Sequence, residues 1–219
     1  MGIGRNFFDY REETAHRLLE LLLELTTYKW SRAIRIISSH RNLRFVATAC
    51  VLSIAQGVME AEKEAREALA QSKRKNASFQ NLAQECHDLQ EQLYIQVLSH
   101  RVRDVFAPTR LLCVVMIGVL THCNSAYLTD DYLKYVGTAL GDTDGAVRLE
   151  AVRQLIALWG TWIGVRRRIR EEEGNEVVRE VVRRYKARIL FMSRDTQPVV
   201  IMAVVSLIDA MRGGTWREK

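Results

Sequence analysis

The chain has 219 residues, 48% of them hydrophobic, with 32 Lys and Arg against 26 Asp and Glu for a net charge of +6. This content can bury a substantial core, which excludes a disordered tail, and the mild positive excess suits an acidic partner, nucleic acid ahead of membrane, without specifying one. Only two prolines occur, Pro108 and Pro198, so long helices are free to form before Pro108. The cysteines Cys50, Cys86, Cys113 and Cys123 lie in apolar helical text without C-x-x-C spacing, the usual pattern of reduced intracellular thiols, and no structural zinc site is expected. The longest apolar run, Leu111 to Leu120, is about half of the ~20 residues a membrane helix needs, so no span and no membrane partner are predicted. The start, Met1 to Asn6, lacks the apolar stretch of a signal peptide, and Asn6 stands where a myristoylation motif wants Ser or Thr; the expected location is inside the cell.

In chain order, leucines at 18, 19, 21, 22, 23 and 25 predict a nearly all-round apolar helix over Thr14–Thr26, as found inside a layered helical stack. A second helix is predicted from near Asn42 past Val58 into Glu60–Ala68, strong helix formers with alternating charge whose far end should be solvated. Ser72 to Ser78, with Lys73, Arg74 and Lys75, breaks the pattern. Phe79, Leu82, Cys86, Leu89 and Leu93 then recur at alternating steps of three and four, a coiled-coil-like seam. The simplest geometry folds Val58–Ser72 back on Phe79–Leu93 as a long antiparallel hairpin, free to project from the main body.

A weak internal repeat follows: an apolar residue or Thr, then Arg, a small residue four on and an aliphatic eight on. Leu43-Arg44 leads to Ala47 and Val51, Thr109-Arg110 to Cys113 and Ile117, and Val147-Arg148 to Ala151 and Leu155. Val199-Val200 leads to Ala203 and Leu207 without its arginine. Asp104, Asp142 and Asp195 lie four or five residues ahead, where an aspartate can cap the turn or pair with an arginine of the stacked neighbour. Such faces must stack to be buried, which predicts an all-α fold of HEAT-like antiparallel helical repeats, an α-solenoid.

No G-x-S-x-G, H-E-x-x-H, P-loop or dinucleotide fingerprint occurs, so no catalysis, cofactor or small-molecule substrate is expected. Cys86-His87 and His122-Cys123 read as packed helical pairs, because adjacent helical residues point in different directions. His100 and Arg101 read as an interfacial helix end. Trp159 more often fills a gap between helices than stacks on a base. Arg166, Arg167, Arg168 and Arg170 behind it, and Lys73, Arg74 and Lys75 in the hairpin turn, are candidates for double-stranded DNA, with Glu171–Glu173 available to neutralise the first group within the chain.

The pieces Val97–Asp104 (V-L-S-H-R-V-R-D), Thr109-Arg110, Tyr127–Gly137 (Y-L-T-D-D-Y-L-K-Y-V-G) and Gly145–Leu149 (G-A-V-R-L), followed by Arg184–Ile189 (R-Y-K-A-R-I), resemble the stromalin conservative domain of the stromalin (stromal antigen) family of cohesin subunits. The likeness extends upstream over Arg41–Val58 and the hairpin and is strongest over residues 97–192. It implies N-terminal HEAT-like helices over 1–57, the hairpin over 58–96, conservative-domain repeats over 97–192 and a further helix over 193–219, a piece of a larger solenoid. It also implies a nuclear, chromatin-associated scaffold for sister-chromatid cohesion that binds the kleisin, other cohesin regulators such as loader and protector proteins, and DNA. In similar proteins a surface pocket receives aromatic-containing peptides, and its polar and aromatic members map here onto Asp131, Lys134 and Tyr185, with Arg184 joining them on the expected protein-partner surface. Thr138 stands where many relatives have tryptophan, so selectivity should differ. Tyr132 and Tyr135 are expected to pack the helix while Asp131 and Lys134 face solvent. The competing reading is a HEAT-type transport or phosphatase adaptor that carries protein cargo without DNA.

Overall fold

The computed structural model describes residues 40–71, 77–164 and 172–213, with helices and no strand among them. The helix predicted over Thr14–Thr26 and the basic turn at 73–75 lie outside these residues. The chain divides into two compact units, Met1–Thr109 and Arg110–Lys219.

In the first unit, α1 (Arg41–Gln71) and α2 (Ala77–Leu93) form the predicted antiparallel hairpin. The Gln90 side-chain amide donates to the Ala55 carbonyl, and Glu62 lies beside His87, so residues rising along α1 meet residues descending along α2. The buried stripe of α1, Thr48, Val51, Leu52, Ala55, Met59, Glu62 and Ala65, follows the helical period. Its alanines, with Ala83 of α2, let the two backbones approach closely.

Two expectations about this hairpin fail in detail. The seam of α2 is turned from the predicted line: Phe79 is 37% exposed, while Ala83 and Gln90 are buried with Cys86 and Leu93. Gln90 belongs inside because its amide reaches a main-chain carbonyl, which satisfies a polar group that apolar spacing alone would leave outside. Nor is the charged end of α1 wholly solvated. Glu62 is 0% exposed, held by two bonds from the Arg66 guanidinium at 2.9 and 2.7 Å, one turn on. By length and composition α1 could cross a membrane. It nonetheless carries Arg44 paired with Asp104 and packs along α2.

Beyond α2 the chain continues through a π-helical stretch, Tyr94–Leu98, and a helical turn, Ser99–Arg101. It is then tied back to the start of α1: Phe106 packs edge-on against Phe45 at 5.9 Å and lies under the Arg41 guanidinium.

The second unit contains most of α3 (Ala107–Cys123), then α4 (Asp130–Ala139), α5 (Gly145–Leu158), a π-helical continuation at Trp159–Gly164, α6 (Glu172–Phe191) and α7 (Pro198–Gly213). Within it, α4 packs on α5 and on α6, and α7 packs on α5. First helix thus lies on first helix and second on second, the HEAT-like stacking expected from the repeat. Helix ends follow local chemistry: Asp144 caps α5 by accepting from the amides of Ala146 and Val147, and Pro198 opens α7, where its missing N–H costs nothing.

One device recurs along the chain. Arg44 binds Asp104 through Nε and Nη2 at 3.0 and 3.2 Å. Arg110 binds Asp142 in the same way at 2.7 and 2.6 Å, and Arg148 binds Asp195 at 2.7 Å through both nitrogens. Each carboxylate also accepts the amide two residues on, from Phe106, Asp144 and Gln197 respectively. Both roles allowed by the sequence, turn and rung, are filled by one side chain. The aliphatic residues eight positions on, Val51, Ile117, Leu155 and Leu207, are all buried. Val200, which stands in place of the arginine in the last repeat, is buried as well.

Burial pushes the carboxyl pKa of Asp104 and Asp142 up, but the hydrogen bonds from Arg44 and Arg110, the amides and nearby guanidinium charges outweigh it, so both end below the ordinary carboxylate value. For Asp195 the Arg148 hydrogen bond is the largest influence, and it too is lowered. A depressed carboxylate stabilises the fold above its unfolded pKa of about 3.9 and ceases to do so as pH falls through its folded value. Acid unfolding followed by circular dichroism should therefore begin below about pH 4. Asp142→Asn, which leaves Arg110 nearly buried without its anion, should lower stability by about 3 kcal/mol and flatten that acid limb. A neutral effect in denaturant melts at pH 7 would show that the rung adds nothing.

Candidate functional site

The residues predicted for a protein-partner surface come together on adjoining faces of α4 and α6. Asp130 and Asp131 occupy the first turn of α4, where the helix dipole favours negative charge. Asp131, 76% exposed at its side chain, pairs with Lys134 at 2.8 Å, a bond that raises the Lys134 pKa despite slight desolvation. Lys134 also lies 5.3 Å from the centre of the Tyr135 ring. Tyr135 and Tyr132 are buried, Tyr132 edge-on to Tyr127 at 5.6 Å, as expected of packing residues.

From the adjoining helix, Arg184 of α6 donates to Asp130 at 2.7 Å. The Tyr185 hydroxyl donates to the Lys134 carbonyl at 3.4 Å, and that carbonyl also accepts from the Thr138 hydroxyl at 2.5 Å. Tyr185 can lie flat against α4 only because residue 137 is glycine: a Cβ there would come within 2.0 Å of its ring. One turn along, Arg188 donates to the Leu140 carbonyl at 3.2 Å and stacks over exposed Phe191 at 5.6 Å.

The surface thus combines the half-buried Tyr185 phenol with the exposed Asp131 carboxylate, the partly exposed Lys134 ammonium and the exposed Arg184 guanidinium. Thr138 is exposed and short, and its hydroxyl shares the Lys134 carbonyl with the Tyr185 hydroxyl. Such an arrangement offers charge-assisted hydrogen bonds of both signs on one face. Sequence reasoning missed Asp130, Gly137 and Arg188 as members. Gly137 stood inside the recognised motif, yet its partner is 48 residues away in the chain, beyond any local pattern.

The other candidates are placed as follows. Lys73, Arg74, Lys75, Arg166, Arg167, Arg168 and Arg170 lie outside the described residues. Trp159 is 3% exposed and belongs to the core. Burial depresses the pKa of His122, opposed by the Gln154 side chain, and its ring lies 3.4 Å from the Thr161 hydroxyl. Cys86 is buried beside His87 while Cys123 is exposed. No group of three metal-binding side chains occurs among the described residues.

Residues 103–162 match the stromalin conservative domain. The chain is 29% identical over 154 residues to cohesin subunit SA-1 of Xenopus laevis, covering 70% of this chain and 11% of that protein. It is 36% identical over 87 residues to human cohesin subunit SA-3, covering 39% of this chain and 7% of that protein. The chain therefore spans a small fraction of the length of these curated relatives. Among solved structures, cohesin subunit Scc3 from Z. rouxii shares the fold, with a TM-score of 0.61 at 21% identity over 94% of this chain and 23% of that one. Motifs, stacking and matches agree that residues 103–162 are similar to the stromalin conservative domain and that the chain resembles the SA/Scc3 type of cohesin subunit.

Proposed function

We propose that the chain is a non-enzymatic scaffold segment of a cohesin-type complex, nuclear and chromatin-associated, acting in sister-chromatid cohesion by positioning protein partners and double-stranded DNA. The divisions at 1–57, 58–96, 97–192 and 193–219 are part of this reading. The observation that carries it is the α4/α6 surface: exposed Asp131 and Arg184 with partly exposed Lys134 and half-buried Tyr185, set on stacked helices within and beside the conservative-domain match. Rigid stacking keeps the cluster in one geometry, so a partner gains its contacts without first ordering them. The kleisin and the loader or protector proteins are the partners that the family resemblance implies. DNA would be met at Arg166, Arg167, Arg168 and Arg170 and at Lys73, Arg74 and Lys75, where cations exchange for phosphate counterions.

Three outcomes test this. The chain should recover cohesin components in co-precipitation, and Lys134→Glu should reduce that recovery of partner proteins about tenfold without loss of helix content, since a rim charge governs complementarity. Gly137→Ala should displace Tyr185 and cost about 1–3 kcal/mol of stability in denaturant melts. In gel shifts on duplex DNA, replacing Arg166, Arg167 and Arg168 by Glu should flatten the salt dependence by about 0.9 in log–log slope for each phosphate the variant no longer neutralises. A chain that ignores DNA at physiological ionic strength while still carrying protein cargo would be the transport or phosphatase type of adaptor instead.

A further inference from the structure

The α1/α2 hairpin has two unlike sides. On one, the Arg66 guanidinium and the His87 ring converge on the buried Glu62 carboxylate, and Lys63 lies beside Glu67. On the other, apolar residues stay half out of the hairpin. At 3.6 residues per turn, Val58, Ala61 and Leu69 fall on one flank of the buried stripe of α1, and Leu82 and Leu89, with Phe79, on the corresponding flank of α2. The first five are half-buried and Phe79 is 37% exposed. Because the two helices run antiparallel, both flanks lie on the same side. The Gln90–Ala55 and His87–Glu62 contacts set the register, which brings Val58 level with Leu89 and Leu69 level with Phe79. The furrow between them is therefore about 15 Å long, some ten residues at 1.5 Å each. Gly57, at its end, is exposed, and a Cβ added there would meet nothing within 4 Å.

Among the described residues, every charge bordering this furrow is negative. Glu85 stands next to Leu82 and Leu89 on the helix surface, and Glu64 and Asp88 stand on the outer edges, all three exposed. Helix α2 contains no Lys or Arg, and Lys63 and Arg66 of α1 are turned to the opposite side. Asp88 accepts from the Gln84 amide, and none of the three carboxylates pairs with a cation among the described residues. This face thus opposes in sign the chain as a whole, whose net charge is +6.

We propose that this face of the hairpin docks a basic amphipathic helix of a partner protein, completing a three-helix coiled coil. Apolar side chains spaced three and four apart would seat between Val58, Leu82 and Leu89, and lysines or arginines on the flanks would meet Glu64, Glu85 and Asp88. Small Ala61 and uncovered Gly57 let the incoming backbone approach α1 closely. Charge complementarity selects the occupant: an acidic helix with the same apolar face would bring like charge to all three carboxylates, and so would a nucleic acid. The proposal uses no residue of the α4/α6 surface.

The test uses the full chain and two fluorescent peptides about four helical turns long that share one leucine face, one with lysines and the other with glutamates on the remaining positions. Fluorescence anisotropy should show saturable binding of the lysine peptide, at least tenfold tighter than the glutamate peptide and weakening as salt rises. Glu85→Lys combined with Asp88→Lys, both exposed, should invert that preference without loss of helix content by circular dichroism. Glu60→Lys combined with Glu67→Lys, exposed on the opposite side of the hairpin, should leave it intact. The proposal is overturned if neither peptide saturates or if the first double reversal leaves the preference unchanged. It is likewise overturned if the second reversal weakens the lysine peptide as much as the first, which would reduce the effect to overall charge. Tenfold tighter binding after replacing Lys73, Arg74 and Lys75 with alanine would make the chain's own basic turn the occupant, and so overturn it. Sedimentation showing self-association that the lysine peptide competes away would overturn it too, by assigning the face to a second copy.

Discussion

The arginine–aspartate rung carries more of this fold than any other polar contact. Arg44, Arg110 and Arg148 each give two hydrogen bonds to the aspartate at the turn before α3, α5 or α7, and each aspartate also accepts a main-chain amide, Asp104 taking Arg101 as well. Desolvating such a pair is costly, and only near-ideal bidentate geometry with further bonds offsets the cost. The arrangement is therefore as much a register device as a source of stability: a helix slipped by one residue would bury a guanidinium and a carboxylate unpaired. Where the last repeat has Val200 instead, apolar packing alone must set the register.

The α4/α6 surface follows from that register. Because first helices stack on first helices, Asp130 meets Arg184, Gly137 meets the Tyr185 ring, and Leu140 meets Arg188. Glycine is needed at 137 for a steric reason, since the ring occupies the volume of a side chain. The exposed charges are held by neighbours within hydrogen-bonding reach, which spares a partner part of the entropy of fixing them. Thr138 turns its short hydroxyl back to the main-chain carbonyl of Lys134.

An apolar pocket between α6 and α7 is lined by Val182, Ile189, Ile208 and Met211. Each of these helices finds its main support in a helix of the preceding pair, so neither closes fully on the other. One helix, α6, consequently serves three environments: polar toward α4, apolar toward the core and mixed toward α7.

The sequence by itself determined the helical class, the hairpin, the buried aliphatics eight residues beyond each repeat position and the identity of the rung residues, because these depend on local periodicity and on side chains suited to only one role. It also marked Asp131, Lys134 and Tyr185 through the family motifs. The tertiary structure decided which arginine meets which aspartate, which glycine admits which ring, and that Gln90 and Glu62 turn inward while Phe79 stays partly outside. The physical reason is range. A helical pattern reports the face a residue occupies to within about one residue in register, whereas a hydrogen bond across 32 to 60 positions of chain depends on how whole helices dock, and only their packing sets that.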